Sequence, residues 1–228
     1  MTMETISLGF LVKDGRDFLP LAYKNLAKIA DEIIIAIEKN DSGIDQALEI
    51  ATYDDRVKVL LVNESEKSVN FLIKNCTKDW IIIINAGDIF SDTYYLIRDY
   101  IDNYSNYDAF TIKKNKFVYH LGLLDAKESE EICIFKNKGI YFENFNSTTE
   151  DIVSPIRADT VWSIKDVEIF SLDGAKNLRD YMQIYYKNLT NNNKPLLDDL
   201  KNKIITGAYL TKPNQKELPL ILKEYFKL

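Results

Sequence analysis

Residues 80–92, WIIIINAGDIFSD, place an amide and a carboxylate directly behind a hydrophobic run. The four isoleucines predict a buried strand, and Asn85, Gly87 and Asp88 follow at its carboxyl end. Ligands of open α/β sheets bind outside the carboxyl ends of the strands, so a carboxylate at this position is where chemistry is expected first. The same residue types also build ordinary turns, and this segment taken alone favours a turn.

Polar residues also follow three earlier segments that have the composition of strands. The four polar groups are Lys13 and Asp14, Glu38 and Asp41, Asn63 and Glu64, and Asn85 and Asp88. If the strands are parallel, their carboxyl ends lie along one edge of the sheet. One crevice is therefore expected to collect all four groups.

The elements that position these groups alternate between strand and helix. Strands are predicted over 6–12, 32–38, 57–62 and 80–84, and apolar residues at helical spacing predict helices near 19–29, 44–53 and 70–76. The isoleucine runs do not alternate with polar residues, which is typical of strands covered by helices on both faces. Such an order predicts an α/β fold with a mainly parallel, doubly wound sheet.

The chain after residue 92 has a different texture. Asp92 is the predicted N-cap of a helix that ends near residue 104. Short segments rich in β-branched and aromatic residues then predict a small antiparallel portion, over 109–114, 117–121, 131–135 and 140–142. A polar loop over 143–155 and three helices over 173–189, 195–210 and 218–226 follow. The predicted organisation is one domain over 1–172 and a C-terminal helical extension over 173–228.

Composition excludes several classes of function. The 228 residues include 29 Lys and Arg against 35 Asp and Glu, without a long basic run, so no nucleic acid partner is expected. Cys76 and Cys133 lie far apart and predict buried thiols. The absence of a signal peptide pattern or a long apolar run favours a cytoplasmic location. The amphipathic segment 218–226 leaves peripheral membrane contact open, although packing against its own protein is the commoner fate of so short a helix.

Familiar catalytic motifs are missing. The turn after the first predicted strand, Lys13-Asp14-Gly15, is not a G-x-G-x-x-G turn, and the chain has no P-loop, which disfavours a dehydrogenase and a P-loop nucleotidase. His120 is the single histidine, so it forms neither a triad nor a histidine metal site. Trp80 and Trp162 are predicted to be core residues rather than exposed stacking platforms.

The order of these segments resembles that of the family 2 glycosyltransferases, which have the GT-A fold. Similar pieces are the first strand and its turn in FLVKDGRDFLP, the acidic cluster in IIIAIEKNDSGIDQALEIA, and the helix in NFLIKNCTKDW, where Asn70 lies ten residues before Trp80. In the family, the next strand carries an Asp-x-Asp metal motif at the place of residues 85–88 here. The resemblance covers about the first 95 residues and, more loosely, the region to about residue 160.

The sequence departs from the family at this metal motif. The two family aspartates fall on Asn85 and Gly87, which leaves Asp88 as the one carboxylate. Mn²⁺ and Mg²⁺ prefer carboxylate and water oxygens. The resemblance therefore implies a divalent cation at Asp88 that is bound weakly or is dispensable.

The resemblance also implies roles for the other polar residues. Asp88 would hold the cation that stabilises the departing phosphate, and Asp151, with Glu150 as the second candidate, would take the proton of the acceptor hydroxyl. The residues expected to bind a nucleotide-sugar donor are Lys13, Asp14, Glu38, Asp41, Asn70 and Asn85. For each of these residues the alternative is a solvated, packing or turn-forming role.

Two functions follow from these expectations. The first is a glycosyltransferase that moves a sugar from a nucleotide-diphosphate donor to an acceptor hydroxyl with inversion, in the cytoplasm or at the membrane surface. Its acceptor is a carbohydrate, a lipid-linked molecule or a protein, and the sugar, nucleotide and oligomeric state are left open. The second is a catalytically weakened relative that binds nucleotide or carbohydrate without turnover. Nucleotidyl transfer is disfavoured because no glycine-rich phosphate turn follows the first strand.

Overall fold

The first half of the chain folds as alternating strands and helices. The computed structural model describes residues 3–13, 18–63, 68–120, 123–139, 156, 158–171 and 220–221. Its elements up to residue 85 are β1 (Ile6–Val12), α1 (Leu19–Leu26), β2 (Glu32–Glu38), α2 (Ile44–Tyr53), β3 (Val57–Val62), α3 (Ser68–Asn75) and β4 (Trp80–Asn85). A single 3-10 turn over Ala27–Ile29 continues α1. The predicted order of strands and helices is confirmed for this half.

The described part of the second half adds four strands and one α-helix. They are β5 (Asp88–Phe90), α4 (Leu96–Asn103), β6 (Ala109–His120), β7 (Leu123–Lys136) and β8 (Val161–Ser171). The sequence predicted neither β5 nor β8, and β6 and β7 form one long antiparallel hairpin where three shorter strands were expected. The predicted strand over 140–142, the loop over 143–155 and all but residues 220–221 of the three C-terminal helices lie outside the described residues.

The helix after β5 begins later than predicted. α4 starts at Leu96, and Tyr95 at its N-cap position makes no side-chain capping bond. The carboxylate of Asp92 instead accepts the backbone N–H of Leu220, at 3.1 and 3.2 Å from its two oxygens. The prediction of Asp92 as the N-cap is therefore wrong, because this side chain binds a distant segment of the chain.

One sheet contains all eight strands, in the order β3-β2-β1-β4-β7-β6-β8-β5. Strands β3, β2, β1 and β4 are parallel to one another, and β6 and β8 are also parallel. The other pairings, of β7 with β4 and β6 and of β5 with β8, are antiparallel. Only Ala86 and Gly87 separate β4 from β5 in the chain, although β7, β6 and β8 lie between them in the sheet. The sheet therefore curls back toward β4, and the predicted α/β fold class is confirmed.

Helices cover both faces of the parallel part, which explains the isoleucine runs. In β4, Ile82 and Ile84 pack with the core formed by α1, α2 and α4, whereas Ile81 and Ile83 pack with the core around α3. Alternate side chains of a strand point to opposite faces of the sheet, so each isoleucine of β4 packs into one of these two cores. A strand buried on both faces leaves no place for alternating polar residues.

The tryptophans and cysteines test four further predictions. Trp80 is fully buried and stacks on Phe110, with ring centroids 5.2 Å apart, as expected for a core residue. Trp162 is 40% exposed, so its assignment to the core is wrong. It lies at the second position of β8, where its ring stacks on Tyr104 at the surface. Cys76 and Cys133 are free, buried thiols, as predicted.

Among the helices in the described ranges, none has both the length and the apolar character that crossing a membrane requires.

Candidate functional site

The carboxyl ends of the four parallel strands meet at one edge of the sheet. The register pairs Val12 with Ile37, Glu38 with Val62, and Leu11 with Asn85. β1 lies between β2 and β4, so the chain changes direction across the sheet at β1. Such a switch point opens a crevice in which ligands of α/β proteins bind. The polar residues that follow these strands are thus brought to one edge, as the sequence predicted.

Glu38 offers a carboxylate at this edge. The residue ends β2 and is partly buried, and its side chain has no hydrogen bond or ion pair with any residue in the described part of the chain. Lys13 follows β1 and is exposed at the same edge. Asp14, the third predicted donor-binding residue of this group, lies outside the described residues. Glu38 is therefore a carboxylate with room to accept hydrogen bonds from a ligand.

Asp41 shapes the turn between β2 and α2. Its Oδ1 accepts the backbone N–H of Gly43 at 2.7 Å. Gly43 lies so close to the sheet that a Cβ there would approach Val12 at 3.3 Å and Ile37 at 3.4 Å. This hydrogen bond gives Asp41 a turn-forming role beside the predicted binding role.

Asn70 lies in the first turn of α3, which begins just after the polar segment that follows β3. The residue is partly buried. The first turn of α3 follows the carboxyl end of β3, and the donor-binding role of Asn70 stays a prediction.

Asn85 and Asp88 close the tight turn that links β4 to β5. The Oδ2 atom of Asp88 accepts the backbone N–H of Asn85 at 3.1 Å and its side-chain amide at 3.4 Å. Asp88 is the first residue of β5, so it belongs to a strand and not to the turn that the sequence alone suggested. Its other oxygen, Oδ1, is buried and has no hydrogen-bond partner among the described groups.

Lys114 joins Asp88 to a second acidic residue inside the curled sheet. The Nζ atom of Lys114 lies 3.0 Å from Oδ2 of Asp88 and 3.0 Å from Oε2 of Glu131. The three residues belong to β5, β6 and β7 and are at most 3% exposed. We call them the Lys114 ion triad. One ammonium group thus pairs with two carboxylates, and the triad connects three strands of the curled sheet.

The surroundings of Lys114 keep it charged. Burial lowers the pKa of Lys114, but the attraction and hydrogen bonds of Asp88 and Glu131 outweigh burial and hold the pKa above its ordinary value. Cys133 lies nearby on β7, and burial raises the pKa of its thiol. The triad is therefore an ionic group that sits beside a neutral thiol.

The side chains around Asp88 do not fit the divalent cation that the family resemblance implies. Within the described ranges, no three His, Cys, Asp or Glu side chains lie together in a group that could hold a metal ion. The Oδ2 atom of Asp88 already accepts three N–H donors, one of which is the ammonium group of Lys114. A divalent cation at that oxygen would face a like charge in a buried setting. The donor set is that of a protein-internal ion pair.

Several predicted and unpredicted residues complete this description. Asp151 and Glu150, the predicted bases, lie outside the described residues. Lys114 and Glu131 were not predicted, since they lie 26 and 43 residues from Asp88 in the chain. One signal was present in the sequence: Lys114 continues the alternation of Phe110 and Ile112, so its side chain belongs to the core face of β6.

No family model matches the chain, and no curated protein matches it in sequence. Its fold, however, is that of the GT-A-like transferases. TarS 1–349 from S. aureus, in complex with UDP-GlcNAc, is 15% identical over 73% of this chain, with a TM-score of 0.52. The match covers 58% of that TarS chain and, in a longer TarS structure, 40%. This chain therefore spans less than two thirds of the TarS structures.

Two further solved structures have similar folds. HddC from Yersinia pseudotuberculosis, complexed with GMP-PN, is 13% identical over 73% of this chain and 93% of its own, with a TM-score of 0.50. A putative glucose-1-phosphate thymidylyltransferase from Bacillus anthracis, in complex with a sucrose, is 12% identical over 77% of this chain and 93% of its own, with a TM-score of 0.51. These likenesses, at 12–15% identity, show a shared fold.

Proposed function

We propose that this chain is a glycosyltransferase that takes a sugar from a nucleotide-diphosphate donor and passes it, with inversion, to an acceptor hydroxyl. The observation that carries the proposal is the carboxyl edge of β1, β2 and β4, where the switch point of the sheet coincides with the Glu38 carboxylate, which no described residue pairs with. The similarity of the fold to TarS in complex with UDP-GlcNAc supports a nucleotide-sugar donor.

The residues of this edge suit a nucleoside diphosphate. Carboxylates accept hydrogen bonds, so Glu38 and Asp14 bind the N–H groups of the base and the hydroxyl groups of the ribose. Lys13 meets a phosphate, and Asn70 supports the donor from α3. As the sugar leaves, negative charge develops on the phosphate, and fixed N–H donors and cationic side chains stabilise that charge.

The acceptor half of the reaction needs a base. A carboxylate within hydrogen-bond reach removes the proton of the acceptor hydroxyl as that oxygen attacks the sugar. Asp151 takes this role in our proposal, with Glu150 as the second candidate. The acceptor is a carbohydrate, a lipid-linked molecule or a protein.

A second function is favoured by one specific observation. Asn85 and Gly87 stand where the family has two aspartates, and Asp88 is paired with Lys114. A protein with this strand tip could hold the donor without turning it over. Nucleotidyl transfer is less well supported, because the segment after β1, KDGRDF, lacks a glycine-rich phosphate turn.

Calorimetric titration with UDP, GDP and dTDP sugars tests the donor half of the proposal. Wild type should bind at least one of them, and Glu38→Gln should weaken that binding about tenfold through the loss of a charged acceptor. Glu49→Gln is the matched control, since Glu49 is exposed on α2 away from the edge, and it should leave affinity unchanged. Wild-type protein that binds none of these donors would refute the transferase and leave only a carbohydrate-binding form of the second function.

Release of nucleotide from a bound donor separates the two functions. In the transferase, Asp151→Asn should leave donor affinity intact and stop transfer, whereas Glu150→Gln should only slow it. Full transfer by Asp151→Asn would move the base to Glu150 or elsewhere. Tight donor binding by wild type with no release of nucleotide for any acceptor class would favour the binding protein.

A further inference from the structure

We infer that the ammonium group of Lys114 is the resident cation of the β4–β5 tip and excludes a divalent metal ion from the Oδ2 oxygen of Asp88. Donor binding is then independent of added metal, a consequence that rests on the proposed function. The inference itself concerns only the Lys114 ion triad and is testable without a nucleotide.

The position of Lys114 leaves no separate place for a metal ion at the bonded oxygen of Asp88. Its Nζ atom lies midway between two acidic side chains, 3.0 Å from an oxygen of each. The same Asp88 oxygen accepts two N–H groups of Asn85. Mg²⁺ and Mn²⁺ bind through oxygen lone pairs. Three N–H donors already bond this oxygen, whereas Oδ1 is buried and has no partner among the described groups.

Charge balance points the same way. Two carboxylates and one ammonium group carry a single net negative charge, and all three residues are at most 3% exposed. A divalent cation would have to enter a buried site beside the ammonium group, or Lys114 would have to lose its proton. The ammonium group lies 3.0 Å from an oxygen of each carboxylate, so both carboxylates favour its charged form.

Asn85, which stands where the family has an aspartate, fits this arrangement. Asn85 contributes N–H donors to Asp88, where an aspartate would contribute a further negative charge. An aspartate at position 85 would add a second negative charge next to Asp88 and would favour a divalent ion over a single ammonium group. Asn85 and Lys114 therefore act together: the amide removes a charge and the ammonium group supplies the cation.

Titration with Mn²⁺ alone tests the inference directly. We expect wild type to take up no Mn²⁺ at the tip, measured by the electron paramagnetic resonance signal of the free ion. Lys114→Met should gain Mn²⁺ binding, since Asp88 and Glu131 then share no cation, and the added change Asp88→Asn should abolish the gain. Folding of each variant is checked by circular dichroism. A folded Lys114→Met that binds no Mn²⁺ would overturn the inference.

A second measurement needs no variant. Paramagnetic Mn²⁺ broadens amide resonances close to its binding site, so the resonances of Asn85 and Gly87 in wild type report directly on the tip. Unchanged line widths at millimolar Mn²⁺ support Lys114 as the resident cation. Selective broadening of these two amides would overturn the inference even if the Lys114 variant does not fold.

Nucleotide titrations separate this inference from the proposed function. UDP and GDP should bind wild type with less than about a twofold change in affinity between buffers containing EDTA and Mn²⁺. A tenfold loss in EDTA would contradict metal-independent binding. If neither nucleotide binds in either buffer, the titration with UDP, GDP and dTDP sugars decides the proposed function, while the Mn²⁺ measurements still decide the role of Lys114.

Discussion

The side-chain amide of Asn25 pairs with the backbone of Phe90 through two hydrogen bonds, one in each direction. The N–H of Phe90 donates to Oδ1 of Asn25 at 2.7 Å, and the Nδ2 of Asn25 donates to the carbonyl of Phe90 at 3.2 Å. Phe90 belongs to β5, the terminal strand of the sheet, so no strand of the described ranges lies along its outer edge. The amide of Asn25, on the buried side of α1, supplies the hydrogen-bond acceptor and donor that a neighbouring strand would supply.

Replacing Asn25 should therefore destabilise the protein strongly. Asn25→Ala leaves a buried N–H and a buried carbonyl without partners, and we expect a loss of about 2–5 kcal/mol in the free energy of unfolding. Chemical denaturation followed by circular dichroism measures this loss. Asn103→Ala is the control, because Asn103 bonds the carbonyl of Asp99 at the surface, and it should cost less than about 0.5 kcal/mol. Equal losses in the two variants would contradict this role of Asn25.

Two buried serines should respond to alanine in different ways. The hydroxyl of Ser171, opposite Asp88 in the register, has no partner among the described groups. Ser7 is equally buried, but its hydroxyl donates to Glu32 and accepts the backbone N–H of Lys78. Ser171→Ala should be neutral or stabilising, whereas Ser7→Ala should cost about 1–3 kcal/mol, because it leaves polar partners unpaired. Thermal unfolding of both variants tests the contrast, and a larger loss at Ser171 would refute it.

Gly9 gives α3 its close approach to the sheet. A Cβ at this position would overlap both methyl groups of Leu72, with Cδ1 only 2.9 Å away. Gly9→Ala should therefore cost about 1–3 kcal/mol through overpacking. With Leu72→Ala the combined loss should be smaller than the sum, by about 0.5 kcal/mol or more. The control pair is Gly9→Ala with Ile101→Val, which lies in the other core and should be additive. An additive result for Gly9 and Leu72 would contradict the contact.

Tyr23 predicts a loss of stability in alkaline solution. Burial, together with a 2.6 Å hydrogen bond to the carboxylate of Asp54, raises the pKa of Tyr23 to about 12. The unfolded chain has a tyrosine pKa of about 10, so it releases its proton first, and unfolding is favoured as the pH rises between these values. The contribution of Tyr23 is complete below pH 10 and lost as the pH passes about 12.

The variant Tyr23→Phe isolates this contribution. It should lower the free energy of unfolding by about 1–3 kcal/mol at neutral pH, because a hydrogen bond to a charged group is lost. The difference between variant and wild type should shrink as the pH rises through the window. Denaturation at a series of pH values measures it, and a constant difference up to about pH 12 would show that the Tyr23 phenol does not titrate in this window.

The parallel half of the fold could be predicted because its signals are local. Strands β1, β2 and β3 and helix α2 have the bounds that the hydrophobic pattern indicated. Each of them is a short segment with a single hydrophobic pattern, and polar residues follow it. The edge crevice followed from the same pattern, since parallel strands bring their ends together.

The remaining strands could not be predicted because long-range contacts decide them. β5 has only three residues, and β8 contains Lys165, Asp166 and Glu168, so neither shows a clean strand pattern. The expected break at Lys114 and Asn115 in β6 does not occur, because Asp88 and Glu131 neutralise the buried lysine. The pairing of Asp88 with Lys114 likewise depends on a residue that lies far away in the chain.

The return of β5 to the far end of the sheet has a consequence for how the protein is made. β5 leaves the ribosome immediately after β4, but its pairing partner β8 is about 70 residues further along the chain. During synthesis β5 therefore has no β8 to pair with at first. Asn25 has already been synthesised, and its amide is available to bond the backbone of Phe90. A nascent chain that stops before residue 161 also leaves one side of β6 open to a strand from another molecule. Completion of β8 closes both edges in one step.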